Sequence, residues 1–342
     1  MSAYKRSALC KNYVTENRKE GIALHQPAVA VLLAVYEPRE DWLTALLDSL
    51  NGQTLLPACL YVRDDASPSF SVKRLRRLLE KHITAFPFVL FQNESNRGSN
   101  EVFAALLRDA KEPYVAFCDQ DDIWLPEKLQ NGVTLLLESP LHPLLVCSDV
   151  SVIDGSGRML APRIGKLRPR HILRRGYGLS AHLLYRNFAI GCTILTERER
   201  ALSYLPFPSE AVHDHYLAFR AALDGALDYL PTPQVLYRVH AENQTGVMTG
   251  VSSKDDYIRK RIPEFLHRIQ AFGCYTDSRA LREALLWGEA RVANAHRQKC
   301  GMRRLFSLRR LNRATSYFEL IALRLPSPLF RILVRAIEKG IL

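Results

Sequence analysis

Long apolar runs are missing from this chain. No stretch of eighteen apolar residues occurs among its 342 residues, so no spanning helix is expected. Paired cysteines are missing as well. The seven cysteines (Cys10, Cys59, Cys118, Cys147, Cys192, Cys274, Cys300) are odd in number and scattered without a CxxC. That argues against a zinc ribbon and a disulfide framework, and for a reducing cytoplasm. The first twenty residues have no apolar core, so a signal peptide is not expected. Neither GxxxxGK[ST] nor GxGxxG occurs. A phosphate held here would therefore rely on metal and basic side chains instead of a glycine-rich cradle.

What is present reads as globular: 47% of residues are hydrophobic and 24% charged. The net charge of +12 is unevenly placed. Residues 251–342 hold 19 Lys/Arg against 8 Asp/Glu, while residues 1–250 hold 28 against 27. A nearly neutral body carries a basic C-terminal region, which calls for an anionic partner or is simply a solvated helical face.

Along the chain, residues 1–27 form a polar lead-in. VAVLLAV (29–35) is short, apolar and valine-rich, as a buried parallel strand requires. Helical spacing follows in DWLTALLDSLNG, then a strand at Leu60–Val62 runs into Asp64 and Asp65. VKRLRRLLEKH predicts a helix, FPFVLFQN a strand, and SNEVFAALLRDAK a helix capped by Ser99 or Asn100. PYVAFC predicts a fourth strand, and Pro126 a following helix with proline in its first turn. LLVCSDVSVIDGSG suggests strand and turn. Residues 158–190 are basic and unassigned, a candidate loop over the site. SEAVHDHYLAFRAALDG suggests a helix, ALDYLPTPQVLYRVH a strand, and residues beyond about 255 only helices. The alternation predicts an α/β fold with an open, mostly parallel sheet flanked by helices. Ligands in such sheets bind beyond the carboxyl ends of the strands, where Tyr36-Glu37, Asp64-Asp65 and Asp119–Asp122 fall.

The last of these is the densest. CDQDDIWLPEKL (118–129) puts three carboxylates within four positions. Like charges so close repel, and a hard divalent cation, Mg²⁺ or Mn²⁺, relieves them. The plain alternative is a solvated turn with a helix cap.

In order, VAVLLAVYEPREDWLTALLDSLNGQ, YVRDDAS, NRGSNEVFAAL and CDQDDIWLPEKL resemble the family 2 glycosyltransferases of GT-A fold. SDVSVIDGSG, GCTIL, VHDHYLAF and YRVHAENQTG extend the likeness to the bacterial rhamnosyltransferase-like branch, which builds cell-surface polysaccharide such as O-antigen. The resemblance covers residues 28 to about 246. It implies a catalytic domain over 28–250, with a nucleotide-binding half (28–125) and an acceptor half (144–250), then a helical basic region over 251–342. It places the nucleotide at Tyr36, Glu37, Asp64, Asp65, Asn96, Arg97 and Asp119. It places the metal at Asp119 and Asp121, with His240 completing the shell, and the catalytic base at Asp214. Beside that base, His213 and His215 are candidates to tune it or to hold the acceptor, the guanidinium of Arg238 suits phosphate, and Asn243 and Gly246 shape the loop beyond. The implied reaction is an inverting, metal-dependent transfer of a sugar, rhamnose from dTDP-rhamnose, to a lipid-linked saccharide. No QxxRW segment occurs, which suggests single addition.

LFRILVRAIEKGIL is basic and amphipathic, so contact with the inner membrane face through 303–342 is expected, or packing on the domain. Two other readings stay open. A sugar-nucleotide nucleotidyltransferase would want a glycine-rich, lysine-bearing loop after the first strand. A nucleic-acid binder using the basic region would leave the aspartates unexplained.

Overall fold

A computed structural model describes residues 27–240 and 251–338. Its sheet starts at β1 (Val29–Val35), fully apolar because helices cover both faces. Ala30 and Leu32 point into one core, Val29, Val31, Leu33 and Val35 into the other. Then come α1 (Glu40–Asn51), β2 (Cys59–Asp64), α2 (Val72–His82), β3 (Phe88–Gln92), α3 (Ser99–Asp109) and β4 (Tyr114–Cys118). These strands run parallel in the order β3-β2-β1-β4. The chain winds outward from β1 to β3, then crosses back to set β4 on the other side of β1. That reversal opens a crevice at the carboxyl ends of β1 and β4.

The second half is less regular: β5 (Ile123–Trp124), α4 (Lys128–Glu138), β6 (Leu145–Ile153), β7 (Met159–Ala161), β8 (Leu195–Glu197), α5 (His213–Asp224) and β9 (Leu227–Arg238). The sheet continues β4-β8-β6-β9-β5, with β7 on β6. Here only β6 and β9 pair in parallel, while β8, β7 and β5 run antiparallel to their neighbours. The expected mostly parallel sheet is thus the first half. Beyond β4 the strands no longer alternate with crossover helices, and the pairing turns mixed.

Three local expectations shift. The cap of α3 is Gly98, at φ +79, a conformation that favours glycine. Asn100 instead donates to the carbonyls of Pro208 and Ala211. Pro126 precedes α4 rather than lying in its first turn, and its carbonyl accepts the N–H of Thr54. Residues 158–190 hold β7 and two four-residue helical turns, and Gly176 bridges to Leu227.

The C-terminal helices are α6 (Ile262–Gly273), α7 (Arg279–Ala295), α8 (Gly301–Ser307), α9 (Arg313–Ala322) and α10 (Ser327–Glu338). They share a core with the sheet. Phe272 of α6 stacks on Phe219 of α5 with ring centroids 4.1 Å apart, and Trp287 and Leu305 join the cluster that holds Leu32 and Phe117. Burying one such aromatic contributes about 1.5–3 kcal/mol. Part of the apolar face of α10 is also spent inside. Phe330 and Val334 are buried against a cluster with Tyr257 and Leu323, while Leu329 and Ile332 stay exposed. Among the described residues, no helix is long and apolar enough to cross a membrane.

Candidate functional site

Sheet register assembles the site. Val35 pairs with Asp64 and Leu33 with Cys118, so the polar residues after β1, β2 and β4 meet at one edge. Gln120 closes the gap between the loops after β1 and β4. Its side chain accepts the N–H of Tyr36 and donates to the Tyr36 carbonyl, both at 2.9 Å. The ring of Tyr36 stays exposed beside this clasp. Glu37 turns inward with φ 46, and its carboxylate accepts the N–H groups of Ser69 and Phe70.

The two aspartates of β2 part ways. Asp64 is fully buried and accepts the Ser67 hydroxyl at 2.6 Å, which makes it a turn-former. Asp65 accepts three N–H bonds, from the Asn93 side chain and the backbones of Arg97 and Gly98. It fastens the 93–98 loop over the crevice, with the side chains of Asn96 and Arg97 exposed.

The acidic loop is held by β5 and β9. These pair antiparallel with Ile123 opposite Leu236, which brings Asp121 and Asp122 beside Arg238 and His240. His240 Nε2 lies 2.6 Å from Asp121 Oδ2. Asp122 is fully buried and accepts the backbone N–H of Arg238. Arg238 is itself buried. Its guanidinium donates to the carbonyls of Asp121 and Asp154, so it splints the acidic loop to the β6 turn. Burial, then the charges of Asp121 and Asp214, push the Asp119 carboxyl up to about 7. Burial, then Asp121 and Asp119, raise Asp122 well above the carboxylate range. Asp119, Asp122 and Cys192 present ligand atoms within 4.8 Å of one another. Hard oxygen donors suit a divalent cation, and a neutral thiol does not suit a hard one. The two carboxylates of this group suit a divalent cation and Cys192 suits it poorly, while Asp121 is paired with His240 beside them.

Asp214 sits in the first turn of α5. Its carboxylate accepts the N–H of His215, and Gly191 packs against it, with room limited to 3.7 Å from a would-be Cβ to its Oδ2. Burial pushes it up to about 7, only partly offset by the N–H groups of His215 and Gly191. Its charge reaches Asp119 and helps to raise that carboxyl.

The neighbouring histidines do not face it in the same way. His215 is buried, with Nε2 on the Leu183 carbonyl and its ring edge-on to Phe272. His213 is buried among Phe103, Phe117 and Phe207, and burial lowers it to about 3. Both pack at the root of α5, where burial favours their neutral form. Asn243 and Gly246 lie outside the described residues.

Several contributors escaped the sequence reading. Trp42 reads as an apolar position of α1, yet its indole N–H donates to the Gly155 carbonyl and its ring packs on His240 at 4.7 Å. Lys128 is buried with Nζ 3.4 Å from the Trp124 ring centroid, and burial brings it down to about 8 against the pull of Cys118, Cys192 and Asp122. A lysine in the first turn of a helix gives no sequence signal of such a position.

Comparison with known proteins agrees with this geometry. Residues 30–195 match the family model "Glycosyl transferase family 2". An uncharacterised protein of Mycobacterium bovis is 27% identical over 217 residues, 61% of this chain and 58% of its own length. The chain thus spans less than two thirds of that relative. UDP-Glc:alpha-D-GlcNAc-diphosphoundecaprenol beta-1,3-glucosyltransferase WfgD of Escherichia coli is 23% identical, covering 55% of this chain and 67% of its own. The dTDP-rhamnosyl transferase RfbG of Shigella flexneri is 23% identical, covering 64% and 75%. Among solved structures, S. aureus TarS 1-349 in complex with UDP-GlcNAc aligns with a TM-score of 0.55 at 16% identity over 92% of each chain. Mannosyltransferase PcManGT from Pyrobaculum calidifontis, in complex with GDP-Man and Mn²⁺, aligns at 0.54 and 17% identity over 97% and 93%. At such identity the structural likeness establishes the fold, which is of the GT-A type.

Proposed function

The chain carries a glycosyl transferase family 2 domain over residues 30–195, and from that premise we propose that it is an inverting, nucleotide-sugar-dependent glycosyltransferase of polysaccharide synthesis. The observation that carries this reading is the placement of Asp214. It is a desolvated carboxyl, raised to about 7, whose charge reaches Asp119 at the switch point of the sheet.

The nucleoside diphosphate lies over the ends of β1 and β2, against the Tyr36 ring and the loop that Asp65 fastens. Asp121, Asp119 and His240 would hold a divalent cation, which when bound offsets the charge of the departing diphosphate. Asp214 takes the proton of the acceptor hydroxyl. The hydroxyl oxygen bonds to the anomeric carbon from the face opposite the diphosphate, the bond to the diphosphate oxygen breaks, and the configuration inverts. A base near 7 suits this task, since it is free at neutral pH yet basic enough to accept the proton.

The finer reading is rhamnose from dTDP-rhamnose, moved to a lipid-linked saccharide. The likeness to RfbG supports the donor, and the likeness to WfgD, whose name states a diphosphoundecaprenol acceptor, supports the acceptor class. The test is calorimetric titration of dTDP, UDP and GDP with and without Mn²⁺, followed by donor turnover. Metal-dependent binding that prefers dTDP upholds the full reading. Preference for another base replaces the donor only. No binding of any nucleotide overturns the transferase reading.

A further inference from the structure

The surface of α8, the 309–311 turn and α9 is basic and apolar at once. Residues 301–337 contain eight arginines and a single acidic residue, Glu319, which is wholly buried in an ion pair with Arg291. The exposed surface of this segment therefore has no carboxylate of its own. Two carboxylates of α7 reach its edge, where Glu289 lies 3.7 Å from Arg304 and Glu283 4.0 Å from Arg310.

The arginines converge. Ser307, Arg309, Arg310, Arg313 and Tyr317 line a cleft of about 410 Å³. Apolar side chains flank it. The Arg309 guanidinium lies 3.9 Å from the ring centroid of Phe306, which is 48% exposed. On α9, Arg313, Tyr317, Ile321 and Arg324 recur every three or four residues and so share one face, all of them exposed, Ile321 at 62%. Phe306 lies against Arg309 of the cleft, and Ile321 follows Tyr317 by one turn of α9. Neither is needed by the core, whose helical side is filled by Leu305, Trp287 and the Phe330 cluster.

We propose that this face docks the enzyme on an anionic phospholipid bilayer. The cleft takes lipid phosphates, and Phe306, Tyr317 and Ile321 enter the headgroup–acyl boundary. Guanidinium forks match phosphate oxygens, and aromatic and aliphatic side chains gain by leaving water for acyl chain. A nucleic acid would satisfy the arginines and could stack on Phe306 but would return nothing for the exposed aliphatic Ile321, which is why a lipid surface is the better occupant. The surface stands on its own observations. The transferase reading supplies its purpose, since a lipid-linked acceptor is met at the bilayer.

The experiment is co-sedimentation of the full chain with vesicles of phosphatidylcholine alone or with phosphatidylglycerol, beside binding of a DNA duplex. Arg309→Ala/Arg310→Ala/Arg313→Ala and Phe306→Ser/Ile321→Ser are compared with wild type, and nucleotide binding and circular dichroism are read in each. Wild type is expected to sediment only with phosphatidylglycerol vesicles. Each variant is expected to lose at least tenfold of that binding with its fold and nucleotide binding unchanged. Absence of vesicle binding, or binding untouched by both variants, overturns the proposal. Duplex binding that needs the arginines while Phe306→Ser/Ile321→Ser changes neither partner also overturns it, in favour of nucleic acid. Loss of nucleotide binding in wild type is a separate failure, of the transferase reading alone.

Discussion

His240 Nε2 and Asp121 Oδ2 lie 2.6 Å apart although 119 residues separate them in the chain. The Trp42 ring packs on the imidazole with centroids 4.7 Å apart. A metal shell and a plain hydrogen bond make different demands of it. If the pair is a shell, His240→Ala and Asp121→Asn each weaken Mn²⁺-supported nucleotide binding by about 10–100-fold and leave metal-free binding unchanged. Titration calorimetry checks this. Equal loss with and without Mn²⁺ would show a structural bond only.

Asp214 sets the pH dependence. A base works only when deprotonated, and its carboxyl is raised to about 7. The rate kcat/KM should therefore climb with pH and level off above about 7. Asp214→Asn should lower turnover by roughly 10²–10⁴-fold while donor binding persists. A pH–rate profile flat from pH 5 to 8 would remove Asp214 from the role of base.

The same burial has a cost to the fold. Asp119 and Asp214 have folded pKa values near 7, above their unfolded values near 4. Their favourable contribution is complete below about pH 4 and is lost as pH rises through about 7. Metal-free Asp214→Asn should then be more stable than wild type at pH 8, by on the order of 1 kcal/mol, and inactive. Urea unfolding at pH 5 and pH 8 measures this, with a gap that widens at the higher pH.

Asp65 acts through the loop it fastens. Asp65→Ala leaves the N–H groups of Arg97 and Gly98 and the Asn93 amide without their acceptor, at about 1–3 kcal/mol. Asp65→Asn keeps one acceptor oxygen and should lose less. Nucleotide affinity and denaturant midpoints across the two variants should fall in the same order. Affinity lost without any change in stability would instead indicate a direct nucleotide contact.

Arg291 and Glu319 form a buried pair, with Nε and Nη2 of Arg291 on Oε1 of Glu319 at 2.9 and 2.6 Å and the Tyr257 hydroxyl on the same oxygen at 2.8 Å. Glu319→Ala strands the guanidinium and should cost about 3–5 kcal/mol. Replacing both by apolar residues, Arg291→Met/Glu319→Leu, should cost less than the single change. Chemical denaturation of the three proteins reads the order.

By itself the sequence determined what short-range chemistry can specify. The run Val29–Val35 is a buried strand because seven apolar residues bounded by polar ones fit little else at that length. VKRLRRLLEKH is a helix over Val72–His82, its period visible and its start set by Ser71, whose hydroxyl accepts the Arg74 N–H. The carboxylates after β1, β2 and β4 belong to one edge because parallel strands place their carboxyl ends together. The tertiary structure alone decided which polar residues face the crevice. Asp64 and Asp65 are adjacent letters, and one is sealed in a turn while the other reaches across to the 93–98 loop. Arg238 is buried and donates to carbonyls of the acidic loop and the β6 turn that only the fold brings to it. His213 and His215 flank the base yet are buried, since α5 roots in a wall of phenylalanines from α3, β4 and α6. α10 buries Phe330 and Val334 but leaves Leu329 and Ile332 outside, and α8 and α9 expose Phe306, Tyr317 and Ile321. A side chain's burial depends on what long-range packing lays over it, and no local pattern carries that information.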